Sequence, residues 1–242
     1  MSPDIRKHRG AHPEDRQLFA GDQCVRLRAA VCELSWLLTR DYSIKSALKL
    51  VGDRHALAER QRLAVARAAS SDQSQKRRRA TERELETVRG GDLIVDGFNL
   101  IITIEAALSG GVILLGRDGC IRDLSSVHGS YRAVNETESA LRLIGEELAA
   151  LKLNSVAWVL DRPVSNSGRL AQRIRDLAAG NGWPWQVDTS FNPDREIISA
   201  RKVVISSDGP LLDEVDQWVS FARQLIEKRL DDPWLIDLSY VA

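Results

Sequence analysis

Three aspartates stand where apolar runs end. Asp96 follows Leu93-Ile94-Val95, Asp161 follows Val156-Ala157-Trp158-Val159-Leu160, and Asp208 follows Val203-Val204-Ile205-Ser206-Ser207. Branched apolar runs of this kind read as strands buried on both faces, as in a parallel sheet. Acids at the carboxyl ends of such strands fall on the edge where open α/β sheets build their sites. If the strands adjoin, the carboxylates converge. Hard divalent cations such as Mg2+ or Mn2+ take oxygen ligands and retain several waters, so a few carboxylates suffice. Two such ions can stabilise the attacking and leaving oxygens of a phosphodiester. Asp96, Asp161 and Asp208 are therefore expected to hold metal, with Asp213 and Glu138 as secondary ligands and Asn99 orienting Asp96 or substrate. Arg122, Arg132, Ser165 and Ser167 are candidate phosphate contacts, the serines because the next helix would start beside them with free amides. An acid after a strand is also a common helix N-cap, so each aspartate alone fits a structural role equally well.

Other phosphoryl chemistries fit less well. The chain has no G-x-x-x-x-G-K-[ST] and no G-x-G-x-x-G after the first strand, against P-loop hydrolysis and a dinucleotide cofactor. A phosphatase with an aspartyl nucleophile would, by resemblance to that family, carry Asp-x-Asp where this chain has Asp96-Gly97-Phe98. Ser165 and Ser167 have no recognisable histidine partner for nucleophilic work.

The elements that must position these residues follow from periodicity. Residues 1–15 read as a loose polar arm, and Arg16 to Leu38 as a helix. Ser43 is a plausible N-cap for a helix from Ile44 to Val51, and Ala56 to Ala69 reads as a third helix carrying Arg60, Arg62 and Arg67. A helical unit over residues 1–69 is thus expected, either contacting nucleic acid or, slightly favoured, simply presenting a solvated basic face. Residues 70–90, with Lys76-Arg77-Arg78-Arg79, read as a basic linker with a short helical run at Glu82 to Val88. From residue 91 to 242 strands and helices alternate, which predicts an α/β domain with a mainly parallel sheet. In it Leu100–Leu108 is a helix, Asp118-Gly119 turns a hairpin, and Asn135 opens a helix to Leu151. After strand Trp183–Val187 come a polar loop through Pro193 and Asp194, one helix from Asp208 to Leu230, and a closing strand at Trp234–Leu238.

Composition bounds the rest. The formal net charge of zero conceals a front half, residues 1–90, with 19 Lys+Arg against 12 Asp+Glu, and a back half with an equal acidic surplus. That asymmetry fits a polyanion-handling module joined to a metal-collecting one, or two surfaces that attract each other. Cys24, Cys32 and Cys120 lack C-x-x-C spacing, which argues against a zinc ribbon or disulfide framework and fits reduced thiols. The amino terminus has no signal-peptide core, and Asp96 and Glu105 interrupt the most apolar region, so a cytoplasmic protein without membrane association is expected.

Asp96-Gly97-Phe98-Asn99, the strand ending at Asp161, and Ser206-Ser207-Asp208-Gly209 together resemble the PIN-like nuclease superfamily, particularly its NYN branch. More closely, residues from about 91 to 240 resemble the uncharacterised domain-of-unknown-function family 5616, through the same Asp96 motif, Arg117-Asp118-Gly119 with Arg122-Asp123, and Val164-Ser165-Asn166-Ser167-Gly168. The front, with Leu48-Lys49-Leu50-Val51-Gly52-Asp53-Arg54, is similar to the companion family 434. The resemblance implies a PIN-like three-layer α/β fold and metal-dependent RNA cleavage. It also implies an acid from a middle helix, for which Glu138 is the best match and Glu136 the next. The expectation is thus a Mg2+- or Mn2+-dependent ribonuclease, with RNA or single-stranded DNA as partner and a second copy or another protein left open. The alternative is a non-catalytic RNA-binding or assembly module.

Overall fold

The computed structural model describes residues 8–125 and 131–239. Within them the front comprises α1 (Asp15–Leu18), α2 (Gly21–Leu38), α3 (Ile44–Arg54), α4 (Glu59–Ala68), α5 (Asp72–Thr81) and a 3-10 turn at Leu85–Val88. There follow β1 (Asp92–Asp96), α6 (Gly97–Leu108), β2 (Ile113–Leu115), β3 (Ile121–Asp123), α7 (Thr137–Ala150), β4 (Ser155–Asp161) and α8 (Ser167–Asn181). The chain continues through β5 (Trp185–Ser190), α9 (Pro193–Ala200), β6 (Val203–Ile205), α10 (Gly209–Glu214), β7 (Trp218–Val219), α11 (Phe221–Arg229) and β8 (Leu235–Asp237).

The main sheet is parallel throughout, in the order β5-β4-β1-β6-β7. From β1 the chain winds outward through β4 and β5, then returns and winds the other way through β6 and β7. The reversal opens a crevice between the carboxyl ends of β1 and β6, the switch point at which open α/β sheets bind ligands. Successive residues of β1 point to opposite faces: Leu93 and Val95 join the core under α6, α7, α8 and α11, whereas Ile94 packs with Ile197 of α9 and Leu211 of α10. The result is three layers. Leu93 and Val95 are fully buried, each contributing roughly 1.5–3 kcal/mol. Gly97 is dictated by space, since a Cβ there would stand 2.5 Å from Leu160 Cδ2 and 3.0 Å from the Val159 carbonyl oxygen. Only glycine lets α6 start directly against β4.

A second sheet, β3-β2-β8, joins the two halves. Its β2 pairs antiparallel with β3, as the turn at Asp118-Gly119 requires, and parallel with β8. Ile113 and Ile121 face the core around α6, while Val112, Leu114, Leu124, Ile236 and Leu238 pack against Leu27, Leu34 and Val65 of the helical front. The expected closing strand therefore exists but belongs to this sheet and not to the main one.

Several expectations need correction. Residues 8–15, expected to be loose, are anchored: Arg9 enters a buried carboxylate site, pairing with Glu105, which also accepts from the Tyr131 hydroxyl at 2.6 Å and from Thr137. Residues 1–7 lie outside the described residues. The stretch 70–90, read as a linker, contains the ten-residue α5 with Ser71 as its N-cap. Polar composition hid its one buried arginine, Arg78. The polar loop after β5 is the helix α9, started by Asn192 as N-cap and Pro193 at its first position. The single long helix from Asp208 is broken into α10, β7 and α11, because Trp218 and Val219 are wholly buried as the edge strand beside β6. The N-cap role expected of Ser43 holds, its hydroxyl accepting from the Ser46 amide.

Arg78 is the staple of this architecture. Its guanidinium donates to Asp118 at 2.5 Å and to both carboxylate oxygens of Asp213 at 2.8 Å. Asp118, in the β2–β3 turn, also accepts from Arg122 at 2.9 and 2.6 Å. Burial pushes the Asp118 carboxyl up, but the charges and hydrogen bonds of Arg122 and then Arg78 outweigh it and hold it at about 2. Removing one partner of a buried pair leaves an uncompensated charge, so Arg78→Ala is expected to cost about 3–5 kcal/mol in urea unfolding at neutral pH. A carboxyl with a depressed folded pKa contributes stability that is present above its unfolded value of 3.8 and lost as pH falls towards 2. The penalty of the substitution should accordingly shrink across that window. A loss below 1 kcal/mol, or one that does not change with acid, would remove the staple role.

Candidate functional site

The crevice between β1 and β6 is built from three chain segments. Asp96 ends β1 and occupies the N-cap position of α6 without using its side chain as a cap. Its carboxylate instead accepts from the Ser206 hydroxyl at 2.8 Å. Ser206 in turn accepts from the Asp208 amide at 3.0 Å, so one hydroxyl ties the two acids together. Asp208 does cap, its Oδ2 accepting from the Leu211 amide at 3.2 Å. The bland N-cap reading is therefore right for Asp208 and wrong for Asp96.

Asn99 lies one turn into α6, on the crevice side. Its amide oxygen accepts from both the amide and the hydroxyl of Ser207, at 2.8 and 2.9 Å. It thus clamps the loop after β6, whereas the sequence reading has it orienting Asp96 or substrate. Ser207 is held from its other side by Arg122, whose Nε donates to the Ser207 carbonyl at 2.6 Å. Arg122 was expected to touch phosphate; instead its guanidinium is committed to Ser207, Asp118 and the Arg67 carbonyl.

The electrostatics single out Asp96. Burial first pushes its carboxyl up; the Ser206 hydrogen bond opposes this, and the charges of Asp208, Asp161 and Asp194 add to it, giving about 7. Asp161 is raised by burial and then by Asp194. Asp194 is raised by burial and then by Asp208. Four carboxylates therefore share one field at the carboxyl edge: Asp96 and Asp161 from the sheet, Asp194 from the first turn of α9, and Asp208 from the start of α10. Asp194 was missed from the sequence because its apolar strand partner, β5, ends in the polar run Asp188-Thr189-Ser190. The available signal was an acid just after a proline at a helix start.

The remaining expected residues lie elsewhere or do other work. Asp213 was expected as a ligand, but Arg78 takes both its oxygens and Ser74 donates to it at 2.9 Å. Glu138, also expected as a ligand, pairs with Arg142 at 2.9 Å and Arg173 at 3.1 Å on the outer surface of α7 and α8. Glu136 accepts from or pairs with His8 at 2.6 Å. Ser167 is buried, and its hydroxyl donates to the Arg162 carbonyl at 3.4 Å. Ser165 is exposed, and its carbonyl accepts from the Tyr131 amide at 3.1 Å. Neither serine caps α8; Asn166 takes the N-cap position in a left-handed conformation, with its side chain turned to the Tyr131 carbonyl at 2.9 Å. Arg132 is exposed on the same flank, and its carbonyl accepts from Arg9 at 3.1 Å.

The donor set is all oxygen, which suits magnesium or manganese and not a thiophilic metal. Among the described residues no group of three or more His, Cys, Asp or Glu is arranged so that it could hold a metal ion. Magnesium does not demand three protein ligands, because it keeps several waters and takes one or two carboxylates. Asp96 with Asp208, Asp161 and Asp194 as charged neighbours offers oxygen atoms only.

Residues 85–224 match the family described as "Domain of unknown function (DUF5616)", and residues 26–80 match "Protein of unknown function (DUF434)". An uncharacterized protein of Methanocaldococcus jannaschii is 30% identical over 180 residues, covering 74% of this chain and 86% of that protein. No solved structure matches. Among the described residues no helix is long and apolar enough to cross a membrane.

The raised Asp96 carboxyl makes a signed prediction. A group whose folded pKa exceeds its unfolded value binds its proton more tightly when folded, so stability is full below about 4 and falls as pH rises to about 7. Asp96→Asn removes that decline. Relative to its standing at pH 4, the variant should gain up to ~4 kcal/mol over the wild type by pH 8, less whatever water screens. Urea unfolding across this range measures it. Parallel pH profiles for the two proteins would show that Asp96 is not strained by its neighbours.

Proposed function

This chain belongs to the DUF5616 family, and from the crevice that those residues build we propose that it is a metal-dependent nuclease of PIN-like, NYN-type architecture, with RNA as the favoured substrate. One observation carries the reading. Each fully buried carboxylate among the described residues has an arginine: Asp118 has Arg78 and Arg122, Glu105 has Arg9, Asp15 has Arg60 and Asp123 has Arg67, whereas Asp96 is half-buried at the crevice. Asp96 has a serine hydroxyl, and its charged neighbours are three more acids. Gathering like charges at a switch point is costly unless a cation joins them. The strand order β5-β4-β1-β6-β7, wound both ways from β1, fits the PIN-like resemblance of the sequence motifs.

In this reading Asp96, Asp161, Asp194 and Asp208 would hold Mg2+ or Mn2+. Such an ion supplies positive charge to the phosphodiester oxygens and lowers the pKa of a water. Ser206 keeps Asp96 and the Asp208 amide in register, while Asn99 and Arg122 fix the loop that carries Ser206 and Asp208. Asp208 has one oxygen engaged in capping α10, and its charge adds to the field at Asp96. Free thiols at Cys24, Cys32 and Cys120 fit work in a reducing cytoplasm.

Purified protein incubated with single-stranded RNA and DNA should cleave in Mg2+ or Mn2+ and not in chelator. Asp96→Asn and Asp161→Asn should each lower the rate by about two orders of magnitude or more, since even outer partners of metal ligands cost 10–100-fold. Millimolar Mg2+ or Mn2+ should also raise the melting temperature of the wild type, more at pH 8 than at pH 5, where protons compete for Asp96. One specific observation favours a second reading, a non-catalytic RNA-binding module: among the described residues no group of three or more His, Cys, Asp or Glu could hold a metal ion. Binding without cleavage, and no melting shift with either metal, would establish that alternative.

A further inference from the structure

Six large apolar side chains are notably exposed among the described residues, and Val25, Trp36, Tyr42, Ile44 and Leu50 all lie on the helical front. Phe191 is the exception. It stands at the carboxyl edge of the main sheet, 74% exposed, in the tight connection from β5 to α9. Its neighbours in the chain place it beside two of the acids. Ser190 is the strand partner of Asp161, and Asp194 follows three residues on.

This ring is held outward by a stiff backbone. The Asn192 amide donates to the Ser190 hydroxyl at 3.2 Å, and the Asn192 side chain accepts from the Arg195 amide at 3.3 Å as the N-cap of α9. Arg162, the residue after Asp161, donates its amide to the Ser190 carbonyl at 2.7 Å. Its guanidinium then lies over the Phe191 ring, 4.8 Å from the centroid. Trp36 and Arg40 make a similar pair, but they are four residues apart across the end of α2, where such contact is local geometry. Arg162 and Phe191 come from two different strand ends. Their meeting leaves most of Phe191 open to solvent, with a cation against its ring, beside Asp161 and Asp194.

We propose that Phe191, backed by Arg162, is a stacking platform for an unpaired base of a single-stranded nucleic acid. The identification of the strand rests on the nuclease reading. The physical reasoning is complementary. The carboxylates repel a phosphodiester, so affinity must come from groups beside them. An aromatic face takes any base by stacking, and an arginine adds charge for the adjoining phosphate. In a duplex each base face is already covered by its neighbours, so this platform selects strands with free bases.

The test measures binding in chelator, separately from cleavage. Wild type, Phe191→Ala and Phe191→Trp are titrated by fluorescence anisotropy with a short labelled single-stranded RNA, a DNA of the same sequence, and the RNA duplex, with inorganic polyphosphate as a base-free competitor. Phe191→Ala should bind single strands about 5- to 100-fold more weakly. Phe191→Trp should restore binding, and competition by polyphosphate should be unchanged. Arg162→Ala should flatten the salt dependence by about one unit of slope. Unchanged single-strand binding in Phe191→Ala overturns the platform, as does equal loss on the duplex or on polyphosphate, or a wild type that binds neither strand. Cleavage by wild type and Asp96→Asn in Mg2+ or Mn2+ is scored alongside. Unaltered binding by Phe191→Ala with a cleaving wild type removes the platform and leaves the nuclease. Weakened binding with no cleavage by the wild type keeps the platform and removes the nuclease.

Discussion

The buried carboxylate of Asp118 holds three parts of the chain in one arrangement. Arg78 reaches it from α5, Arg122 from β3, and the Cys120 amide from the turn itself. Charges taken out of water are stable only when their hydrogen-bonding capacity is filled, and here both oxygens are occupied more than once. The network does not stop there. Arg122 continues to the Ser207 carbonyl, Asn99 grips the Ser207 amide, and the Ser206 hydroxyl meets Asp96. A path of hydrogen bonds thus runs from a helix of the front half to the acid at the switch point. The loop carrying Ser206, Ser207 and Asp208 owes its position to that path as much as to β6.

This changes the meaning of the charge asymmetry. A basic front and an acidic back could serve a polyanion, but much of the basic charge is already spent inside the molecule. Within the front Arg60 pairs with Asp15 and Arg62 with Asp53, while across to the back Arg9 pairs with Glu105, Arg67 with Asp123, and Arg78 with Asp118 and Asp213. The two halves attract each other, and the small sheet between them supplies the apolar contact that makes the attraction specific. Of the run Lys76 to Arg79, only Arg78 is buried; the other three remain at the surface.

The acids at the sheet edge are the counterpart. Elsewhere a buried carboxylate is neutralised by arginine and serves the fold. At the switch point the parallel sheet delivers Asp96 and Asp161 from adjacent strands, α9 brings Asp194 from just after β5, and α10 brings Asp208 from the other wing. Burial first, and then the repulsion of these neighbours, pushes the Asp96 carboxyl up to about 7, and no arginine relieves it. Such local cost against stability is expected where a ligand, and not the fold, completes the electrostatics.

The sequence by itself determined the parallel α/β layer and the place of Asp96, Asp161 and Asp208 at its edge, because a run of branched apolar residues ending in an acid is a local pattern with one good solution. It also determined the hairpin at Asp118-Gly119 and the Ser43 cap, again from local chemistry. Only the tertiary structure decided which acids meet and which are neutralised. Asp208 and Asp213 are five residues apart and equally acidic on paper, yet one faces the crevice field and the other faces Arg78. Asp194 joins the cluster, whereas Glu138, the acid that the family resemblance implies, pairs with Arg142 and Arg173. The physical reason is that a carboxylate's role depends on the charges within a few ångströms of it, and those come from segments far away in the chain. The sheet that β8 joins and the helix α5 were not legible for the same cause: their partners, β2 and the β2–β3 turn, are long-range contacts that no local periodicity encodes.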